Sequence, residues 1–397
     1  MINRDLYMNF LKKMLSNSDE VKLLIGVRRS GKSTLLEMLQ EYLLSIGTSK
    51  DKMIVINYEL IQNDYLKEGK TLHKYIKEKI TTDEMYFVFI DEAQEIEEWA
   101  RVVNSLRVTF NVNIFVTGSN GRMLNGDHLT YLSGRYISIN VFPLSYKELI
   151  DFKDAPLSNE EYYKEFLYSS FPRVLLENDE EVRQRRKQDI YEAIFERDII
   201  QRGKIQNKSV FMSVARYVLE NVGSPISIKK ICDSLNSNGL KTAYTTVENY
   251  VDLIEKAFFL YRCERYDVKG KEVFKTLFKF YVVDFGIRNQ LVPNANTNTG
   301  HILENFVYLE LMKAGYSVHT GKIGRDHEID FVATKGRETL FIQVTQTMLD
   351  PSVKERETFP LSLIKSNGKR IVLSLDTLDF GTSEFEHYNA LEFVKLL

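Results

Sequence analysis

The stretch "LLIGVRRSGKSTLLEML", residues 23–39, runs from an apolar strand-like segment through Gly26, two arginines and Gly31-Lys32-Ser33 into an apolar helical pattern. Gly26 to Ser33 satisfy G-x-x-x-x-G-K-[ST], between the strand and the helix that give that spacing its physical meaning. The glycines let the backbone wrap with its N–H groups turned inward, and a helix starting near Lys32 presents its positive end to an anion. Gly26, Val27, Arg28, Arg29, Ser30, Gly31, Lys32, Ser33 and Thr34 are therefore read as a nucleotide-binding loop. Lys32 is expected to reach the β- and γ-phosphates as a catalytic cation, and the Ser33 hydroxyl to ligate Mg2+. The pattern leaves Arg28 and Arg29 unspecified: they add positive charge near the nucleotide or point outward.

Working outward, short β-branched runs alternate with helical ones. Strands are expected at 21–27, 53–58, 85–90, 113–118 and 136–141, with helices at 32–46, 71–80 and 97–110. This alternation predicts an α/β fold with a parallel sheet covered on both faces. The strand "YFVFI" runs into Asp91-Glu92. A carboxylate at that strand end suits the Mg2+ shell, which assigns Asp91 with Ser33 to the metal, and Glu92 is placed to polarise a water as a catalytic base. The competing reading is two acids capping the next helix. In "IFVTGSNGRML", Thr117, Ser119 and Asn120 end a strand expected beside that of Asp91, either as sensors of the γ-phosphate or as an ordinary turn.

The segments "GVRRSGKSTLL", "FIDEAQEIEEWARVVNSLR", "FVTGSNGRML" and "LSGRYISINVFPLSYKEL", in this order, resemble a family of bacterial and archaeal AAA-type ATPases with a C-terminal domain of uncharacterised function. More distantly the chain is similar to origin-recognition and STAND-type ATPases. The resemblance covers nearly the whole chain. It implies ATP as the nucleotide, a P-loop sheet over 1–144 with a helical lid over 145–205, and a role for Arg135 in "SGRY" near the γ-phosphate, with Arg122 and Arg197 as rivals. A surface ion pair is the bland alternative for each.

Residues 206–292 read as three helices and a hairpin, a winged-helix order. Between 206 and 290 there are 13 Lys and Arg against 9 Asp and Glu in a chain of net charge -2, so any DNA contact must rest on this local surplus. A recognition helix over 242–257 would expose Lys241, Thr242, Tyr244, Thr245 and Asn249, with Lys269 and Lys271 at the wing tip; Glu248, Asp252 and Glu255 on the same helix oppose that use.

Segment 301–397 resembles the restriction-endonuclease-like fold. Glu304 and Asp330 match its acidic positions, but the E-x-K position reads Gln343-Val344-Thr345, a degenerate site with His327 and Glu328 as the only local substitutes. A neutral amide is a poor Mg2+ ligand, so the expectation is a nuclease-like domain without nuclease activity.

Composition sets the remaining bounds. The 397 residues are 44% hydrophobic and 27% charged, enough for two or three domains with buried cores. No apolar run reaches membrane-spanning length and the N-terminus lacks the order of a signal peptide, so a cytoplasmic protein without a membrane partner is expected. Cys232 and Cys263 read as core residues in a reducing compartment. The functional expectation is an ATP- and Mg2+-dependent switch acting on the C-terminal half, with double-stranded DNA or a protein as partner and oligomerisation open. The alternative is a slow STAND-like signalling protein that recruits a partner.

Overall fold

Five all-parallel strands in the order β2-β3-β4-β1-β5 form the sheet of the first unit, which comprises Met1–Pro143 with Lys256–Phe258. The computed structural model describes residues 2–124, 130–153, 155–268, 270, 272–293, 299–324 and 326–397. The strands are β1 (Val21–Ile25), β2 (Met53–Asn57), β3 (Tyr86–Asp91), β4 (Val112–Gly118) and β5 (Tyr136–Asn140). Each lies where its β-branched run predicts it. β1 and β4 are buried along their whole length, as central strands covered on both faces must be.

Helices α1 (Asp5–Lys13), α2 (Lys32–Ser45), α3 (Gly69–Lys79) and α4 (Trp99–Thr109) belong to this unit. No motif in the sequence marks α1. Its Tyr7, Met8 and Leu11 join Leu24, Leu35, Leu39 and Phe115 in one core. Truncating Leu35 or Leu39 to Ala there would cost about 2–5 kcal/mol. Because all five strands run the same way, their C-terminal ends meet at one edge, with Ile25 in register with both Gly118 and Asn140, and Asp91 with Asn57.

The second unit comprises Leu144–Glu255 and Phe259–Leu397. The helices expected as a lid fall within it: α5 (Tyr146–Lys153), α6 (Asn159–Tyr168), α7 (Pro172–Leu175) and α8 (Glu180–Glu192), which continues as a π-helix over Ala193–Gln201. There Tyr146, Tyr163 and Phe166 meet Phe306 of α13 (Thr299–Lys313) edge to face. Lys313 reaches the Leu144 carbonyl (2.9 Å) and pairs with buried Glu310 (2.7 Å).

Three helices follow in the expected order, α9 (Lys208–Glu220), α10 (Ile228–Ser237) and α11 (Tyr244–Lys256), then a hairpin of β6 (Leu260–Asp267) and β7 (Glu272–Val282). The hairpin is not a free wing. β6 pairs in parallel with β8 (Ser317–Ile323), making a seven-stranded mixed sheet ordered β12-β11-β10-β9-β8-β6-β7. The open edge of β6 is satisfied by a distant strand, so one sheet joins segments 206–292 and 301–397, which read as separate domains. Its other strands are β9 (His327–Lys335), β10 (Glu338–Val344), β11 (Lys369–Ser374) and β12 (Glu386–Asn389). Helices α12 (Phe285–Leu291), α14 (Pro351–Ser362) and α15 (Ala390–Leu396) complete the unit. No helix among the described residues is long and apolar enough to cross a membrane.

Candidate nucleotide-binding site

The loop between β1 and α2 turns on two glycines with positive φ, Gly26 (148°) and Gly31 (102°). A side chain on Gly26 would stand 2.2 Å from the Val141 carbonyl oxygen, so the loop packs backbone against backbone on the end of β5. Lys32 is buried and its Nζ donates to the carbonyls of Gly26 and Val27, both at 3.0 Å. This closes the loop into a ring and keeps the ammonium inside it. Val27 and Ser30 are buried in the loop, while Ser33 and Thr34 are half-buried in the first turn of α2. The two arginines part: Arg28 is buried and pairs with Glu59 (3.6 Å), whereas Arg29 is exposed on a left-handed backbone (φ 69°).

The acidic pair stands one strand beyond β4, where two hydroxyls of β4 and its loop organise it. Thr117 Oγ1 donates to Asp91 Oδ1 and accepts from the Glu92 backbone N–H (2.9 Å). Ser33, in the first turn of α2, is close enough to the Asp91 carboxylate to favour its charged form. Burial holds the Asp91 carboxyl above its ordinary range, against the pull of Thr117 and Ser33 and with the charges of Glu92 and Glu59 adding to the rise. Glu92 sits on a left-handed backbone (φ 59°) and accepts from Ser119 Oγ (3.0 Å) and from Gln94 Nε2. Burial works against its charge, but Lys32, the Gln94 bond, Arg28 and Ser119 outweigh it and hold Glu92 below the usual carboxylate range. Two adjacent carboxylates thus stand in opposite electrostatic surroundings, one raised by burial and the other held ionised. Asn120 is buried beside them.

The residues present fit a nucleotide with Mg2+. Ser30 Oγ, Gln94 Oε1 and Asn140 Oδ1 are buried polar atoms without a protein hydrogen-bond partner, on the loop, after the acidic strand and at the end of β5. Such orphans need a polar partner. Ser33 and Asp91 offer hard oxygen donors of the kind Mg2+ takes.

Arg135 is not brought to this site. It precedes β5, its carbonyl accepting from Val21 N–H (2.9 Å), so it lies exposed at the opposite end of strands roughly 15 Å long. Arg197 is exposed on the π-helix of the second unit, and the Arg122 side chain lies outside the described residues. Sequence reasoning missed Arg4, Tyr7 and Gln94. Gln94 was within reach as the next polar residue of "DEAQ"; Arg4 and Tyr7 carry no motif.

In the second unit the structure does bring Glu304, Asp330 and Gln343 together, on α13, β9 and β10. It also adds a lysine that the sequence reading found absent. Lys279 of β7 is buried, with Nζ 3.2 Å from Glu304, 2.9 Å from Glu328 and 3.8 Å from Asp330. Burial pulls against its charge, yet these carboxylates raise its pKa well above the ordinary value. Gln343 accepts from Asp330 N–H (2.7 Å) and donates to Glu357 (2.9 Å), so the group is knit by its own bonds. A cavity of about 650 Å³ opens beside it, lined in part by His327, Glu328, Asp330 and Glu357.

On α11 and just before it, Lys241, Tyr244, Thr245 and Asn249 are exposed and Thr242 is half-buried, while Glu255 is paired with Arg262 (2.7 Å). Lys269 and Lys271 lie outside the described residues.

The chain is similar to several known proteins. Residues 18–150 match the AAA domain family AAA_14, and residues 159–298 match a domain of unknown function, DUF8612. An uncharacterised protein of Haemophilus influenzae is 35% identical over 381 residues, covering 94% of this chain and 93% of the relative. The uncharacterised protein MJ1544 of Methanocaldococcus jannaschii is 28% identical over 373 residues, covering 90% and 80% respectively. Among solved structures, the Walker-type ATPase PABY2304 of Pyrococcus abyssi aligns with a TM-score of 0.49 at 17% identity, covering 74% of this chain and 96% of that one.

Proposed function

Because this chain belongs to the AAA-type P-loop ATPase family that includes the Haemophilus influenzae protein, we propose that it binds and hydrolyses ATP with Mg2+ and uses the nucleotide state to act on its C-terminal half. The observation that carries this reading is the pair of bonds by which Thr117 joins Asp91 to Glu92 at the same sheet edge as the Lys32 loop. Mg2+ held at Ser33 and Asp91 would supply positive charge to the phosphate oxygens. The protein's own groups do the rest. Lys32, already inside the loop, turns from two backbone carbonyls to the β- and γ-phosphates. Glu92 takes the proton of the attacking water, and Ser119 orients its carboxylate.

Glu92 Oε2 accepts from both Ser119 and Gln94, which fixes the plane of the carboxylate and leaves Oε1 to meet a water. For the output, the order α9-α10-α11-hairpin, the bridge between Ile226 and Phe278, and the exposed Lys241, Tyr244, Thr245 and Asn249 support a winged-helix module that contacts double-stranded DNA. Arg135, exposed at the far end of the sheet, is left for a neighbouring subunit rather than its own site.

The test is Mg2+-dependent release of phosphate by the full chain, compared with Glu92→Gln, with and without duplex DNA at low salt. Glu92→Gln is expected to keep ATP binding and lose about 100-fold or more in turnover. Equal turnover in both proteins would sink the assignment of Glu92. DNA that leaves turnover and nucleotide affinity unmoved would sink the DNA coupling alone.

A further inference from the structure

Behind the phosphate loop, on the side of α1, a buried arginine makes contacts that no motif assigns. Arg4 is 4% exposed and stacks over the Tyr7 ring at 4.7 Å. Its Nη1 donates to the Ser30 carbonyl (2.9 Å) and its Nη2 to the Phe142 carbonyl (2.9 Å). The Tyr7 hydroxyl accepts from the Phe142 N–H (3.1 Å), so Arg4 and Tyr7 together use both backbone groups of that residue. Phe142 follows Val141, whose carbonyl is the wall against which Gly26 packs. One guanidinium therefore bridges the two backbones that enclose the loop, at its Gly31 end directly and at its Gly26 end through Phe142.

The Ser30 carbonyl and the Gly31 N–H belong to one peptide plane, and no cis peptide occurs among the described residues. In a trans peptide the two groups point in opposite directions. A carbonyl fixed toward Arg4 thus turns the Gly31 N–H away from Arg4. Glycine at 31 (φ 102°) has the freedom to rotate that plane, so something must hold it. A planar fork with two donors does so better than a flexible ammonium. We propose that Arg4 is a positioning residue for nucleotide binding: it sets the Gly31 N–H and the Gly26 wall in advance for the β-phosphate of a nucleoside di- or triphosphate. This rests on the nucleotide-binding reading above and names a residue of the same site. The gain is preorganisation, an alignment made in the free protein rather than at binding.

The experiment measures affinity of the full chain for fluorescent ADP and AMP analogues in wild type, Arg4→Met and Arg4→Lys. Met keeps the length of the stem and removes every donor. Arg4→Met is expected to weaken ADP binding about tenfold with unchanged stoichiometry, and to leave the weaker AMP binding as it was. Arg4→Lys keeps the charge but offers one flexible nitrogen where the guanidinium holds two in a fixed plane, and is expected to lose about threefold for ADP. A purely structural role would lower the binding-competent fraction, or both affinities alike, and either result overturns the proposal. Arg4→Lys equal to wild type would overturn it in favour of simple charge, and it carries the test alone should Arg4→Met fail to fold. A wild type that binds neither nucleotide refutes the nucleotide reading itself, a result distinct from a variant that matches a binding wild type.

Discussion

Arg28 and Arg29 are chain neighbours, yet one side chain goes into the protein against Glu59 and the other into solvent. The same kind of division separates Asp91 from Glu92. Adjacent carboxylates with unlike surroundings can do unlike work, because burial lifts one while Lys32 and hydrogen bonds hold the other ionised. An acid raised by burial costs stability when it ionises, so at neutral pH Asp91 is a strain on the nucleotide-free protein. Asp91→Asn keeps an oxygen for Thr117 and removes the charge. It is expected to raise the melting temperature of the nucleotide-free chain by about 2 °C. It should also cut Mg2+-dependent turnover by about 100-fold or more. Scanning calorimetry and phosphate release on the same preparation check the pair; a variant that melts lower would contradict the burial argument.

At the scale of elements, β1 shows how much a strand can tolerate. Lys22 is fully buried in it, its ammonium donating to Asn113 Oδ1 (2.7 Å) and to the Asn17 carbonyl. Burial pulls its pKa down to about 8, against the charges of Glu20 and Asp19. The free side chain titrates at 10.5, so between pH 8 and 10.5 the unfolded chain holds more protons than the folded one. The burial cost is therefore complete below pH 8 and is relieved as pH rises across that window. Relative to Lys22→Met, the wild type should gain stability from pH 8 to 10, read as urea midpoints; parallel curves would contradict it. The five strands of this sheet are legible in the sequence because each is a short β-branched run closed by polar residues. Lys32, Ser33, Asp91 and Glu92 are legible for the same local reason, since each motif is contiguous. Pairing is not local. Nothing near β6 says that Arg265 will lie opposite Thr320, and so the seven-stranded sheet cannot be read from periodicity. Lys279 escaped notice on the same ground, since its partners Glu304, Glu328 and Asp330 follow it on other elements. Arg135 could be placed only once strand direction was known.

For the whole molecule, the division into units does not follow the chain. Lys256–Phe258 belongs to the first unit although it joins α11 to β6 of the second. Gly121, just past Ser119 and Asn120, is packed so closely that an added Cβ would stand 3.2 Å from the Lys256 carbonyl oxygen and 3.5 Å from the Phe258 ring. Phe258 is buried on a left-handed backbone (φ 57°), a conformation that costs a non-glycine residue about 1–3 kcal/mol and persists where packing imposes it. Phe258→Ala is expected to destabilise the first unit by about 3 kcal/mol. Hydrogen exchange should then show faster opening of β4 and its following loop, with strands of the second unit such as β10 unchanged; equal loss in both would contradict the assignment.

That inserted piece also sets a timetable. A ribosome making about 5–20 residues per second needs on the order of ten seconds to pass from Pro143 to Phe258. Through that interval the nascent phosphate loop and acidic pair are already out, while the residues that back Gly121 are still unmade. The sheet edge that bears the phosphate loop and the acidic pair is finished only after α9, α10 and α11 have been synthesised, so a chain arrested before residue 258 carries a first unit still missing its last part.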